Sequence, residues 1–156
     1  MRLYLFIPLI FCHFLVNAQN NVCLTIEDNP NINVSGLGLF TKYVNVLDCF
    51  SVYAESSIPD AKVLHAAAVA AELLDNDENG FVDDEVLKTA LQSSEALIPI
   101  FSQENSSAEN QFFTQYNGDG AAAVLYNNEM SPMQTGYWGS DATVEEVIHV
   151  INAVGH

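Results

Sequence analysis

Residues 75 to 85 read Asp-Asn-Asp-Glu-Asn-Gly-Phe-Val-Asp-Asp-Glu, six acids in eleven positions. Charges this dense repel one another unless a cation lies among them. Asp75, Asp77 and Asn79 alternate, so their side-chain oxygens can converge from loop positions one, three and five. Gly80 permits the sharp turn that carries the backbone carbonyl of Phe81 inward. Asp83, at position nine, ligates directly or through water. Calcium takes about six to eight hard oxygens at roughly 2.3–2.6 Å, and this segment supplies that kind of donor. The expected calcium ligands are Asp75, Asp77, Asn79, Phe81 (through its carbonyl), Asp83 and Glu85.

Asp75, Asp77, Asn79 and Gly80 fit the pattern D-x-D-x-[DN]-G. The segment resembles the calcium loop of EF-hand proteins, and the related loops of dockerins and thrombospondin calcium repeats. That resemblance implies a helix-loop-helix over about residues 60–92, with Val82 as the branched apolar anchor at position eight. Position twelve of an EF-hand loop carries a bidentate Glu, whereas here it is Val86. Glu85 or Asp84 must then close a shortened loop. No second loop of this pattern occurs to pair with the first. The expectation is a structural site with a Kd on the order of 10⁻⁴–10⁻³ M, as in extracellular modules.

The C-terminal segment offers a second set of ligands. Glu145, His149, Asn152 and His156 are spaced four, three and four, which puts them on one face of a continuous helix. Glu146 and His149 form Glu-x-x-His, a spacing used in di-metal helical bundles. Glu145, His149 and His156 could thus hold zinc, with His65 as a further candidate, and a zinc-bound water could hydrolyse a peptide or ester. The helix has a vague similarity to that of zinc peptidases, but their H-E-x-x-H is missing: Glu145 stands four residues before His149. The plainer alternative is an amphipathic helix with an ordinary Glu145–His149 pair. The chain also lacks G-x-S-x-G, a phosphate loop and a dinucleotide fingerprint. Tyr137 and Trp138, between two glycines, form either a binding lip or a core plug.

These residues need a scaffold. Residues 40–54 are rich in β-branched and aromatic side chains and partly alternate, which predicts two short strands with a turn near Leu47-Asp48. Pro59 suits the first turn of a helix over 61–74, whose apolar stripe is expected at Leu64, Ala67, Ala68, Ala71 and Leu74. A short helix should follow over about 84–92. Residues 96–101 read as a strand, and Pro99 argues for an edge position. Residues 102–110 read as a polar loop, 117–120 as a turn and 121–126 as another strand. Residues 143–154 have helical periodicity, with Asp141 as cap and capping-box spacing from Thr143 to Glu146. The mixture predicts one small α+β domain with an EF-hand-like helix-loop-helix, a few short strands and a C-terminal helix.

Composition sets the context. The 156 residues carry 20 acids against 4 lysines and arginines, a formal charge of −16. That balance disfavours nucleic acid and anionic membrane surfaces and favours cations or basic partners. Residues 1–18 read as a secretory signal peptide: Arg2, an apolar run too short to span a bilayer, and a small residue at Ala18. Its removal would leave residues 19–156, with no membrane span, and Lys42, Lys62 and Lys88 as the bases. Cys23 and Cys49 would remain, and an exported pair predicts one disulfide. Asn33 and Asn105 head two glycosylation sequons. The abrupt Gly155-His156 end leaves two readings, a helix cap or a chain truncated at its C-terminus.

The leading expectation is a secreted, acidic calcium-binding protein with a structural, extracellular-matrix or biomineral-associated role. Its partners would be calcium ions, a mineral surface or basic extracellular molecules. An apolar content of 49% points to a folded module rather than a disordered polyanion. The alternative is a calcium-stabilised, zinc-dependent hydrolase using the Glu145, His149 and His156 face.

Overall fold

The computed structural model describes residues 23–132 and 141–155. The signal-peptide reading of residues 1–18, the Tyr137-Trp138 lip and His156 lie outside the described residues. Strand β2 (Lys42–Val46) and strand β3 (Phe50–Ala54) form an antiparallel hairpin, with Val46 opposite Phe50. The expected turn is present. Leu47 and Asp48 both adopt positive φ, 51° and 58°, and the Cys49 N–H donates to the Val46 carbonyl at 3.1 Å. A short strand β1 (Glu27–Asp28) adds antiparallel to β2.

After β3 the chain crosses over through helix α1 (Asp60–Leu74) and helix α2 (Glu85–Ser93). It returns as β4 (Leu97–Phe101), parallel to β3. Helix α3 (Ser107–Gln115) leads to β5 (Leu125–Tyr126), parallel to β4, and helix α4 (Thr143–Val154) follows. The strand order is β1-β2-β3-β4-β5, a mixed sheet in a small α+β domain. Among the described residues, no helix is long and apolar enough to cross a membrane.

Strand alternation gives the sheet two faces. Val44, Val46, Phe50, Val52, Ile98 and Ile100 join the main core, together with residues of α1 and α4. On α1 the buried residues include Val63, Ala66, Ala67, Ala70 and Leu74. The expected stripe is thus rotated: Leu64, Ala68 and Ala71 are only half-buried. An alanine-rich helix that is apolar nearly all round does not fix its own phase. The sheet and α4 fix it.

The second face carries Phe40, Tyr53, Leu97, Phe101 and Phe112. Phe101 and Phe112 lie 5.7 Å apart edge to face, and Phe40 and Phe101 lie 5.4 Å apart. Phe112 comes from α3, which occupies part of the stretch expected to be a polar loop. Ser106 caps that helix, accepting from the Glu109 N–H at 3.1 Å, and the Glu109 carboxylate reaches back to the Asn105 N–H. The Ser-x-x-Glu signal was present in the sequence but was masked by polar surroundings. Gly36, at φ 83°, lets the chain pass against α3: a Cβ there would sit 2.7 Å from Cβ of Tyr116.

Three further expectations are corrected. Pro99 is not on an edge strand, because β4 lies between β3 and β5. Ala96 and Ile100 offer their carbonyls to β3, whereas the Leu97 N–H turns the other way, to Gly120. Pro99 shares the orientation of Leu97, and its missing donor faces a stretch where β5 has not begun. The expected strand over 121–126 pairs only at Leu125 and Tyr126. The predicted disulfide is not formed: Cys23 is exposed ahead of β1, and Cys49 is buried in the hairpin turn, both as free thiols. Burial pushes the Cys49 thiol up to about 11.

If α3 is held by Phe112, then Phe112→Ala should cost about 3–5 kcal/mol in chemical denaturation. Phe113→Ala, on the exposed side of the same helix, should change stability by roughly 0.5 kcal/mol or less.

Candidate metal centre

Helix α1 stops at Leu74 because the next residue leaves helical geometry: Asp75 has φ −136° and ψ 78°. The chain then reverses. The Asp83 N–H donates to the Leu74 carbonyl at 2.9 Å, which closes the loop at its base. Val82 is buried beneath it, as the resemblance implied for position eight. Glu78 and Gly80 take positive φ, 55° and 89°, and supply the two sharp bends. Glycine adopts that region without penalty, whereas Glu78 adopts it at a cost.

Asp75 is the centre of the loop and is only 5% exposed. Its Oδ1 accepts the Asn79 N–H at 3.0 Å, and its Oδ2 accepts the Gly80 N–H at 2.7 Å. Asp77 Oδ1 also accepts the Asn79 N–H, at 3.3 Å. Asp83 Oδ2 accepts from the backbone and side-chain nitrogens of Asn76, at 2.9 and 3.1 Å. Carboxylate oxygens of Asp75, Asp77 and Asp83 all lie within 4.8 Å of one another. Ligands around 2.4 Å from a common calcium sit at most about 4.8 Å apart, so the donor spacing fits that ion. Among the described residues, none of the three carboxylates makes an ion pair with a lysine, arginine or histidine.

The remaining expected ligands are less committed. Asn79 Oδ1 accepts the Phe81 N–H at 2.9 Å, and the Phe81 ring is exposed. Glu85 stands exposed in the first turn of α2, outside the converging trio. Asp84 does not close the loop either. Its Oδ1 accepts the Val86 and Leu87 N–H groups at 2.8 and 3.1 Å and caps α2.

On α4, Glu145 and His149 are exposed. His149 Nδ1 lies 3.4 Å from Glu146 rather than pairing with Glu145. His65 is not drawn to that face. Its Nε2 lies 2.8 Å from Asp141 Oδ2, and this bond ties α1 to the start of α4. Asp141 also accepts the Ser131 and Thr143 N–H groups, but it stands one residue before the cap position, which Ala142 occupies without a side-chain capping bond. Burial pushes its carboxyl up, but the hydrogen bonds from Thr143, Ser131 and His65 outweigh that and hold it below the ordinary value. Thr143 lies inside the helix, so the expected Thr143–Glu146 box does not form.

Sequence reading missed a polar group at the carboxyl ends of β3, β4 and β5. The Glu55 carboxylate accepts the Ser102 N–H at 2.8 Å, and Tyr126 donates its hydroxyl to Glu109 at 2.5 Å. Burial and the neighbouring Glu109 raise the Tyr126 phenol far above its usual value. Burial also raises Glu129, whose carboxylate accepts the Tyr126 N–H. Each of these bonds fastens the end of a strand. The only sequence signal for them was the Ser106-x-x-Glu109 spacing.

No family model, no curated protein and no solved structure matches this chain.

Proposed function

We propose that the loop between α1 and α2 binds one calcium ion, and that the ion rivets the two helices together. Asp75, Asp77 and Asp83 supply the charged oxygens, and Asn79, the Phe81 carbonyl and Glu85 or water complete the shell. The carrying observation is Asp75: a nearly buried carboxylate turned into a loop with two others, with no base among the described residues paired to any of them. Buried charge of one sign is costly unless a counter-charge is bound. The donors are all oxygen, which suits a hard cation and not a thiolate- or imidazole-seeking one.

The wider role that follows is structural. A secreted acidic protein, left with three lysines against 20 acids once residues 1–18 are removed (a charge of −17) and stiffened by calcium, would engage a mineral surface or a basic extracellular matrix partner through its remaining carboxylates. The sequon residues Asn33 and Asn105 are both exposed, so glycosylation at them meets no steric barrier.

Calcium at about ten to a hundred times Kd should raise the melting temperature by roughly 5–10 °C. Asp75→Ala combined with Asp77→Ala should abolish that rise. A melting curve unmoved by millimolar calcium would overturn the proposal. Elemental analysis of the purified protein gives an independent reading, because stoichiometric zinc lost on His149→Ala would favour the hydrolase instead.

Asp84→Ala separates capping from ligation. It should lower stability by about 1 kcal/mol with and without calcium while leaving the calcium-induced rise intact. Loss of the rise would place Asp84 among the ligands.

A further inference from the structure

The two faces of the β2–β3 hairpin differ in chemistry. Val44, Val46, Phe50 and Val52 face the main core, whereas Tyr43, Asn45, Ser51 and Tyr53 face the other way. Phe40, Phe112 and the turn at Leu37–Leu39 cover only part of that second face. The rest opens into a cleft of about 450 Å³, within the range of small-molecule sites. Asn31 walls one side, and Gln92, in the last turn of α2, and Glu95, just past its end, wall another.

The cleft is built rather than incidental. The half-buried Tyr43 ring is backed by the buried Tyr53 ring, 5.1 Å away and tilted by 59°, so Tyr43 supplies the aromatic surface of the cleft. Asn31 Nδ2 donates to the Tyr53 hydroxyl at 2.6 Å, and Ser51 Oγ bonds the Tyr43 hydroxyl at 3.4 Å. Gln92 Nε2 donates to the Asp48 carbonyl at 2.9 Å and fixes the hairpin turn against α2. Asp48 and Glu95, which both line the cleft, hold positive φ without being glycine.

The donors and charges select the ligand. Among the described residues no lysine, arginine or histidine lines the cleft, and Asp48 and Glu95 do. An anion is therefore repelled. Asn45, Ser51 and Gln92 present amide and hydroxyl groups that can both donate and accept, which matches a dense set of ligand hydroxyls. The Tyr43 ring matches a flat face of C–H groups. A sugar ring has both surfaces. We propose that this cleft binds a neutral saccharide, with Tyr43 as the stacking platform and the amides as hydroxyl partners.

The test is ligand-observed NMR with titration on the full chain. The neutral probes are maltotriose, cellotriose and triacetylchitotriose, and the charged probes are trigalacturonate and spermidine. At least one neutral trisaccharide should bind. Tyr43→Ala should weaken it about tenfold, and the exposed Asn45→Ala about threefold, each checked for folding by circular dichroism. Phe113→Ala, a remote exposed aromatic, should leave binding unchanged. Binding by none of the neutral probes would overturn the proposal. So would binding that survives both Tyr43→Ala and Asn45→Ala, or binding by a charged probe alone.

Discussion

The parallel pairing of β3 with β4 depends on a chain reversal made in the most acidic segment of the protein. Parallel neighbours need a crossover, and here α1 runs back about 22 Å along the sheet before the chain turns. The turn falls at residues 75–83, where carboxylates converge and repel. Two sets of hydrogen bonds oppose that repulsion. The Leu74 carbonyl receives Asp83, and the Asp75 carboxylate receives Asn79 and Gly80. A divalent ion at the point of convergence would turn the repulsion into attraction. The same geometry then serves both the fold and the ion.

Helix α1 makes the crossover possible by being thin. It packs against β2, β3 and α4, while α4 also reaches β4, and Ala66, Ala67 and Ala70 are fully buried there. Larger side chains at those positions would push one layer away from the other. The His65–Asp141 bond fixes the same contact from its edge, where water is still near. Apolar packing sets the distance between the helices, and the polar bond sets their rotation.

Local pattern made some of this legible. The hairpin showed in the alternation of residues 42–54. The acidic loop showed in ligand spacing and one glycine. The ends of α1 and α2 showed in Pro59 and in the acids that follow the loop. What stayed hidden depended on contacts between distant segments. The phase of α1 was hidden because alanine satisfies any face. Helix α3 was hidden because its anchor, Phe112, has meaning only against Phe40 and Phe101. Pro99 misled because a missing N–H matters only on the side where a partner strand runs. The Cys23–Cys49 bridge is absent because the fold does not bring the two thiols within bonding distance, which a count of cysteines does not report. The tyrosine cleft was hidden most fully. Its walls come from residues 31, 43, 53, 92 and 95, which no single window of sequence brings together.

Helix α2 connects the loop to the cleft. At nine residues it is too short to be stable as an isolated helix, so its order comes from its ends and its burial. Asp84 caps its start, immediately after the acidic loop, and Leu91 anchors it in the core. Gln92, near its end, holds the Asp48 turn that rims the cleft. An ion that ordered residues 75–83 would restrain the Asp84 cap and, through α2, the Gln92 side of the cleft wall. No shape change is needed for such coupling. A narrower distribution of α2 positions is enough, because a wall already held still loses less entropy when a ligand binds against it.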